Sequence, residues 1–315
     1  MNEKDIIQYF ISPHHPASVS QGIGDDCAVL NISTDHQLVT TTDTMVEDKH
    51  FVAQSPAYEL GYKLMATNLS DIASMGARPK WATLNLTLAE VNLTWISQFA
   101  KGLLFCAQKH QVVLVGGDTT LGKQLTMSLQ LSGEIPIDQA NLRKNAQLGD
   151  IIYVTGKIGC AAHALKLLKQ HSFQHSALSK QQINTLYMPP SRVELALALR
   201  NLIHASIDIS DGLLHELEIL CQQSGCGAAL QLDNIPFDHS IDIMSAITAG
   251  DDYELLFTAD RKQEQKISGI ADKYDCLISA IGEINSSCEI VLFQQQQQVP
   301  YPDISGYDHF VGNNE

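Results

Sequence analysis

The chain has 315 residues, is 44% hydrophobic, and carries 20 Lys and Arg against 35 Asp and Glu, a formal net charge of −15. That length is enough for two ordinary domains with sizeable cores. The acidic balance, with no basic stripe, argues against nucleic-acid binding, and no run of about 18 apolar residues exists to span a membrane.

MNEKDIIQYFISPHH has neither a basic n-region nor an apolar h-region, so no secretory leader is expected. Seven cysteines are scattered at 27, 106, 160, 221, 226, 276 and 288 without a CxxC or zinc-knuckle spacing. They read as reduced, mostly buried thiols of a cytoplasmic protein. The acidity sets one condition. An anionic substrate would have to be bound through cations, and side chains supply few.

GIGDDCAVL, residues 22–30, sets Asp25 beside Asp26 at the mouth of a predicted strand. Two carboxylates about 5 Å apart repel by roughly 3 kcal/mol at an effective dielectric near 20. Water, a basic neighbour, a shared proton or a metal ion must offset that; a solvated turn is the bland alternative. DCAVLNI and QLVTTTDTMV follow as β-rich runs. SPAYELGYKLMATNLSDIASMGARP then predicts a helix with Ser55 as N-cap, Pro56 at N1, Gly76 just past the end and Pro79 beyond. Ala57, Leu60, Leu64, Thr67, Asp71 and Met75 share one face of it, so the Asp71 carboxylate must sit at the rim or bind something.

WATLNLTLA reads as a strand, residues 92–110 as a helix, QVVLVGGD as a strand, and QLTMSLQLSGEI as a half-buried strand with Leu125, Met127, Leu129 and Leu131 on one face. NAQLGDIIYVTG opens a second unit, followed by a helix from Cys160, a polar stretch KQHSFQHSALSKQQ and a Pro-Pro break at 189–190. Then come the helix RVELALALR, the strand-to-helix segment SIDISDGLLHELEILCQQSGCG, the strand ELLFTAD and a β-rich tail in which FQQQQQV is a polar hairpin turn. The expected class is α/β (α+β) in two domains, 1–140 and 141–315.

Aspartates recur in one local context. Asp43, Asp71, Asp118, Asp208, Asp211, Asp251 and Asp252 nearly all stand where a β-run meets glycine or a small hydroxyl residue. Strand ends are where an α/β scaffold gathers its chemistry, so a shared acidic site is expected. Oxygen donors suit Mg²⁺, which is usually bound by carboxylates together with substrate phosphates. No EF-hand loop and no HExxH pair is present, which argues against calcium and zinc. GDTTLGK, residues 117–123, fits a Walker pattern, but Gln124 replaces the Ser or Thr, and LTMSLQL after it is a strand rather than a phosphate-capping helix.

GIGDDCAVL, TTDTMVEDKHF, NLSDIASMGARP, VGGDTT, YVTGKIG, IDISDGL, GDDYELLF and GYDHF, in this order over almost the whole chain, resemble the thiamine-monophosphate kinase family of the aminoimidazole-ribonucleotide-synthetase-like superfamily. The resemblance implies transfer of the ATP γ-phosphoryl group to thiamine monophosphate. It also implies a homodimer in which the N-terminal domains form a β-barrel, with a C-terminal α/β domain completing the site. Residue by residue it implies Mg²⁺ ligands at Asp26, Thr41, Thr42, Asp43, Asp71, Asp118, Asp208 and Asp211, for several ions. Gly117, Asp118, Arg143 and Ser210 match positions that hold ATP, and His50, Asp251 and Tyr307 match contacts to the acceptor. Two departures stand out: VEDKHF, with Asp48 and Lys49, in place of a pattern close to VEGVHF, and Asp251 where the family has Glu.

From the residues alone, Arg143 is equally a surface cation, His50 a strand-edge histidine, Ser210 a cap for the helix of SDGLLHELEIL, and Tyr307 terminal packing. The rival functions are another ATP-using member of the superfamily (an aminoimidazole ribonucleotide or selenophosphate synthetase), a metal-dependent phosphohydrolase, and a non-enzymatic divalent-ion buffer.

Overall fold

The computed structural model describes residues 3–11, 16–24 and 26–307. Packing divides the chain into two units. The first comprises residues up to Ile72, Ala77–Asp138 and Leu168–Pro189; the second comprises Ala73–Gly76, Gln139–Leu167 and the chain from Pro190 onward. None of the helices described is long and apolar enough to cross a membrane.

The elements run α1 (Glu3–Ile7), β1 (Val19–Gln21), β2 (Val29–Leu30), β3 (His36–Val46), α2 (Ala57–Ser74), β4 (Arg78–Leu88), α3 (Leu93–Lys109), β5 (Val113–Leu121) and β6 (Thr126–Pro136). Strands β3-β6-β4-β5 form one open four-stranded sheet in that order, with β4 and β5 parallel. The alternation read in β6 is real: Met127, Leu129 and Leu131 are fully buried. Leu60, Leu64 and Leu69 of α2 and Ile96, Phe99 and Leu103 of α3 are buried too. Burying each of these side chains contributes about 1.5–3 kcal/mol. The two helices approach through glycines. A Cβ on Gly61 would overlap the Phe99 carbonyl, and one on Gly102 the Tyr58 carbonyl.

Four local expectations are corrected. DCAVLNI forms only the two-residue β2, because β1 alone pairs with it and Val29 stays exposed. α2 begins at Ala57, not Pro56; the first helical bond runs from Leu60 N–H to Pro56 O, which puts proline at the cap. Ser55 does not cap, because its hydroxyl lies 3.0 Å from the Tyr187 hydroxyl. Asp43 and Asp118 are not at strand ends either, since β3 runs on to Val46 and β5 to Leu121. The small hydroxyl residues that looked like punctuation are β-branched threonines, which strands accommodate.

The chain continues with β7 (Ile151–Thr155), α4 (Cys160–Gln170), α5 (Lys180–Tyr187), α6 (Val193–Leu199), β8 (Ala205–Asp208), α7 (Leu213–Ser224), β9 (Gly227–Gln231), α8 (Ile243–Thr248), β10 (Leu255–Ala259), α9 (Glu264–Lys273), β11 (Ile278–Asn285), β12 (Ile290–Gln294) and β13 (Gln297–Val299). A seven-stranded sheet, β13-β12-β9-β11-β7-β10-β8, organises the second unit. Its core joins Ile152, Val154, Ile207, Ala228, Leu230 and Leu256 of the sheet to Leu213, Leu214 and Leu217 of α7. The glutamine run is a hairpin as expected, with Gln295 and Gln296 both at positive φ between β12 and β13. Both units combine a sheet with helices, so the chain is of the α/β class.

Candidate active site

In the first unit, Thr41 and Asp43 lie two residues apart on β3, opposite the buried Leu131 and Leu129 of β6. Side chains two apart share a sheet face. The Thr41 hydroxyl donates to Asp71 Oδ2 of α2 at 2.5 Å. This is how the Asp71 carboxylate is tolerated on an apolar helix face: half-buried at the rim, with a hydroxyl partner. Thr42 points to the other face, and its hydroxyl donates to Leu129 O at 3.1 Å. Register carries Asp43 across Leu129 and Leu84 to Gly117. Asp43 and Gly117 therefore stand on opposite edges of the sheet, about 14 Å apart at three strand spacings. Gly117 has φ +148°, and any side chain there would run into the Leu84 carbonyl. Asp118 is exposed and accepts a bond from Thr119 N–H at 2.9 Å. Asp26 is exposed; Asp25 and the part of GYDHF after Tyr307 lie outside the described residues.

His50 sits in the turn after β3 rather than on a strand edge, and its Nδ1 accepts from Val46 N–H at 3.0 Å. The turn is built by the departing residues themselves. Asp48 takes a positive φ of 63° and its N–H donates to Phe51 O, while Lys49 N–H donates to Val46 O.

In the second unit, Asp208 ends β8 and is 3% exposed. The turn after it carries Ser210 and Asp211. Ser210 does not cap α7: the N-cap is Gly212, which has no side chain to offer. The Ser210 hydroxyl instead donates to Glu216 Oε1 at 3.2 Å, and Asp211 N–H reaches the same oxygen at 3.3 Å. Burial pushes the Glu216 carboxyl up, against the pull of that amide, and the Asp211 charge pushes it further. Arg143 lies close enough to Glu216 to favour its charged form, while the Arg143 carbonyl accepts from Ser224 at 2.9 Å. Asp251 N–H donates to Ser210 O at 2.7 Å, and Tyr307 N–H to Asp211 O at 2.9 Å. The turn 208–211 is thus bonded to both Asp251 and Tyr307, a residue that is 50% exposed.

Sequence reasoning passed over Glu216, Glu254 and the role of Asp252. Glu254 is bonded by Arg192 and Thr155. Asp252 accepts from Gly159 N–H at 2.8 Å, and burial pushes its carboxyl up to about 8. The signal for Glu254 was present, an acidic residue heading the apolar run ELLF, with Arg192 as a candidate partner beyond the Pro-Pro break. Among the described residues no group of three or more His, Cys, Asp and Glu side chains is gathered as a metal-ligand set. A cavity of about 460 Å³ lies against Ile151, Tyr153, Ala229, Arg261 and Glu264 and includes none of the candidate residues.

Two sheet-and-helix units stand in tandem, each with aspartates beside hydroxyl groups and glycines. Residues 24–135 match the family model of the AIR synthase related protein, N-terminal domain, and residues 147–294 that of the C-terminal domain; the chain belongs to this family. A thiamine-monophosphate kinase of Buchnera aphidicola subsp. Schizaphis graminum is 37% identical, covering 98% of this chain and 99% of its own. The crystal structure of thiamine-monophosphate kinase from Stenotrophomonas maltophilia K279a superposes with a TM-score of 0.83 at 35% identity, over 94% of this chain and 96% of that one. AaThiL complexed with AMPPCP and TMP superposes with a TM-score of 0.78 at 26% identity, over 92% and 93%. Within the family, then, the chain is a phosphotransferase of the thiamine-monophosphate kinase group.

Proposed function

We propose that the chain transfers the γ-phosphoryl group of ATP directly to the phosphate of thiamine monophosphate, releasing ADP and thiamine diphosphate. A bond forms from an acceptor phosphate oxygen to the γ-phosphorus as the bond to the β–γ bridging oxygen breaks. The acceptor oxygen is already anionic near neutral pH, so no general base is assigned. Catalysis reduces to aligning two anions and neutralising charge. The observation that carries this reading is the 208–211 turn. Residues matched to metal (Asp208, Asp211), nucleotide (Ser210) and acceptor (Asp251, Tyr307) are joined there by backbone hydrogen bonds at 2.7 and 2.9 Å.

The candidate donors are carboxylate and hydroxyl oxygens with no His or Cys, a set that fits Mg²⁺. Asp26, Thr41, Thr42, Asp43, Asp71, Asp118, Asp208 and Asp211 would hold it, as several ions. When bound, Mg²⁺ offsets phosphate charge and helps orient both substrates. The chain's own part is preparation: Thr41 aims Asp71, Gly117 lets its strand pass close to the Leu84 backbone, and Glu216 fixes Ser210. Arg143 supplies a cation for ATP, and His50, Asp251 and Tyr307 meet the acceptor. In this reading residues 1–140 carry most of the metal ligands and 141–315 complete the site.

The reading includes a homodimer working in the cytoplasm. Both edges of the four-stranded sheet, β3 and β5, have a partner strand on one side only among the described residues. A second copy would pair those edges toward a closed barrel.

The test is ADP release in Mg²⁺-ATP with thiamine monophosphate, without it, and with free thiamine. ADP matched one-for-one by thiamine diphosphate, only with the monophosphate, is expected; Asp43→Asn should then lower kcat by about 100-fold or more. Folded protein that releases no substrate-dependent ADP overturns the reading.

A further inference from the structure

The segment Asp251–Glu254 is strained yet tightly held. Asp251 (φ +74°) and Tyr253 (φ +50°) are both left-handed, at a cost of roughly 1–2 kcal/mol for each such non-glycine residue. Strain of this kind persists only where the surroundings impose it, and it clusters at functional sites. Backbone bonds set the path: Asp251 N–H to Ser210 O, Tyr253 N–H to Ile209 O at 2.8 Å, and Ile209 N–H to Glu254 O at 2.8 Å. They extend the antiparallel pairing of β8 with β10, in which Leu255 faces Asp208, into irregular chain.

The base of this segment is fixed by a buried charge cluster. Glu254 is 4% exposed. Its carboxylate accepts Nε and Nη2 of Arg192, each at 2.6 Å, and the Thr155 hydroxyl at 2.5 Å. Thr155 Oγ1 in turn accepts from Leu255 N–H at 2.8 Å. Gly156 (φ +62°) makes room, since a Cβ there would overlap the Glu254 carboxylate. A buried ion pair adds little net stability over apolar packing, but a forked Arg–carboxylate pair fixes direction. None of Arg192, Thr155, Gly156 and Glu254 matches a metal, nucleotide or acceptor position.

We propose that the Arg192–Glu254–Thr155 cluster is a positioning device for acceptor binding, anchoring the strained segment so that Asp251 is presented beside Ser210. It rests on the reading above in which Asp251 meets thiamine monophosphate. Arg192 and Glu254 act through Asp251 and touch no substrate. Asp252 anchors the same segment from its other side, through Gly159 N–H.

The test uses the full chain and the variants Glu254→Gln and Arg192→Lys, which preserve bulk but lose the fork. Leu292→Ala serves as a destabilised control, opening a cavity in the same unit's core. Hydrogen exchange without substrate should run about tenfold faster at the Asp251 and Tyr253 amides in both variants. The KM for thiamine monophosphate should rise about tenfold while the KM for ATP stays within about twofold. Leu292→Ala should lower Tm and move neither. Folded variants with unchanged exchange at those amides, or faster exchange with an unchanged acceptor KM, overturn the proposal. If Glu254→Gln fails to fold, Arg192→Lys carries the test. A wild-type chain inactive toward thiamine monophosphate refutes the functional reading alone, and the exchange arm then decides the anchor.

Discussion

At Asp252 a carboxyl group is 7% exposed, with one oxygen on the Gly159 amide. Burial pushes its pKa up to about 8, with the neighbouring Glu254 charge adding to the effect. The sign follows by linkage. Between about pH 4 and pH 8 the group is ionised in the unfolded chain and neutral in the folded one, so stability falls as pH rises across that window. Asp252→Asn removes this penalty. Its Tm relative to wild type should climb from about pH 5 to about pH 8 and level off above; a flat difference in calorimetry at pH 5, 7 and 9 would show the carboxyl to be ionised in the fold. The motif GDDYELLF stood out in the sequence for its paired aspartates, but not which of them turns inward. Positive φ at Asp251 and Tyr253 breaks the two-residue alternation by which a strand assigns its faces.

At the scale of elements, α2, α3 and β6 could be read because each buries a long, regular stripe. β3 matches the run QLVTTTDTMV almost residue for residue, whereas β5 was read too short, since its glycines and threonines imitate turn residues. α9 escaped notice for the opposite reason: only Ile267 of its ten residues is buried, so no apolar period exists to be seen. α5 left a signal that was passed over, a capping box between Ser179 and Gln182 inside a polar stretch. The α2–α3 crossing was not legible either, because glycine in a helix interior looks only like a weakness. Gly102→Ala should cost about 1–3 kcal/mol, more than helix propensity returns, because the new methyl meets the Tyr58 carbonyl backbone. Urea unfolding measures it; a neutral or stabilised variant would mean the helices can separate freely.

For the whole molecule, the open sheet is the feature that points outward. β3 is an 11-residue edge strand, and Leu38 on it is 49% exposed. Edges this long are usually covered or charged. The wild-type chain should sediment as a dimer at micromolar concentration, and Leu38→Glu should shift it toward monomer; a monomeric wild type would remove the barrel from the account. The tandem organisation was visible in sequence from the second strand-rich start near residue 149. What was not visible is that Leu168–Pro189 packs with the first unit, because the residues that bind it are distant in sequence. Tyr187, near the end of that stretch, is the anchor. Its hydroxyl lies 2.7 Å from His175 Nε2 and 3.0 Å from Ser55, and its ring lies beneath the Lys63 ammonium at 5.8 Å.

That excursion has a consequence for how the protein is made. A ribosome delivers residues in order, at about 5–20 per second. When it has passed Asp138 the first unit has its sheet and both long helices, but Ser55 and Lys63 still wait for Tyr187. Roughly fifty more residues must emerge, a delay of about 3–10 s, before those contacts can form. During the interval the nascent first unit is an unfinished surface, and β7 and most of α4, which belong to the second unit, are made before the first is complete.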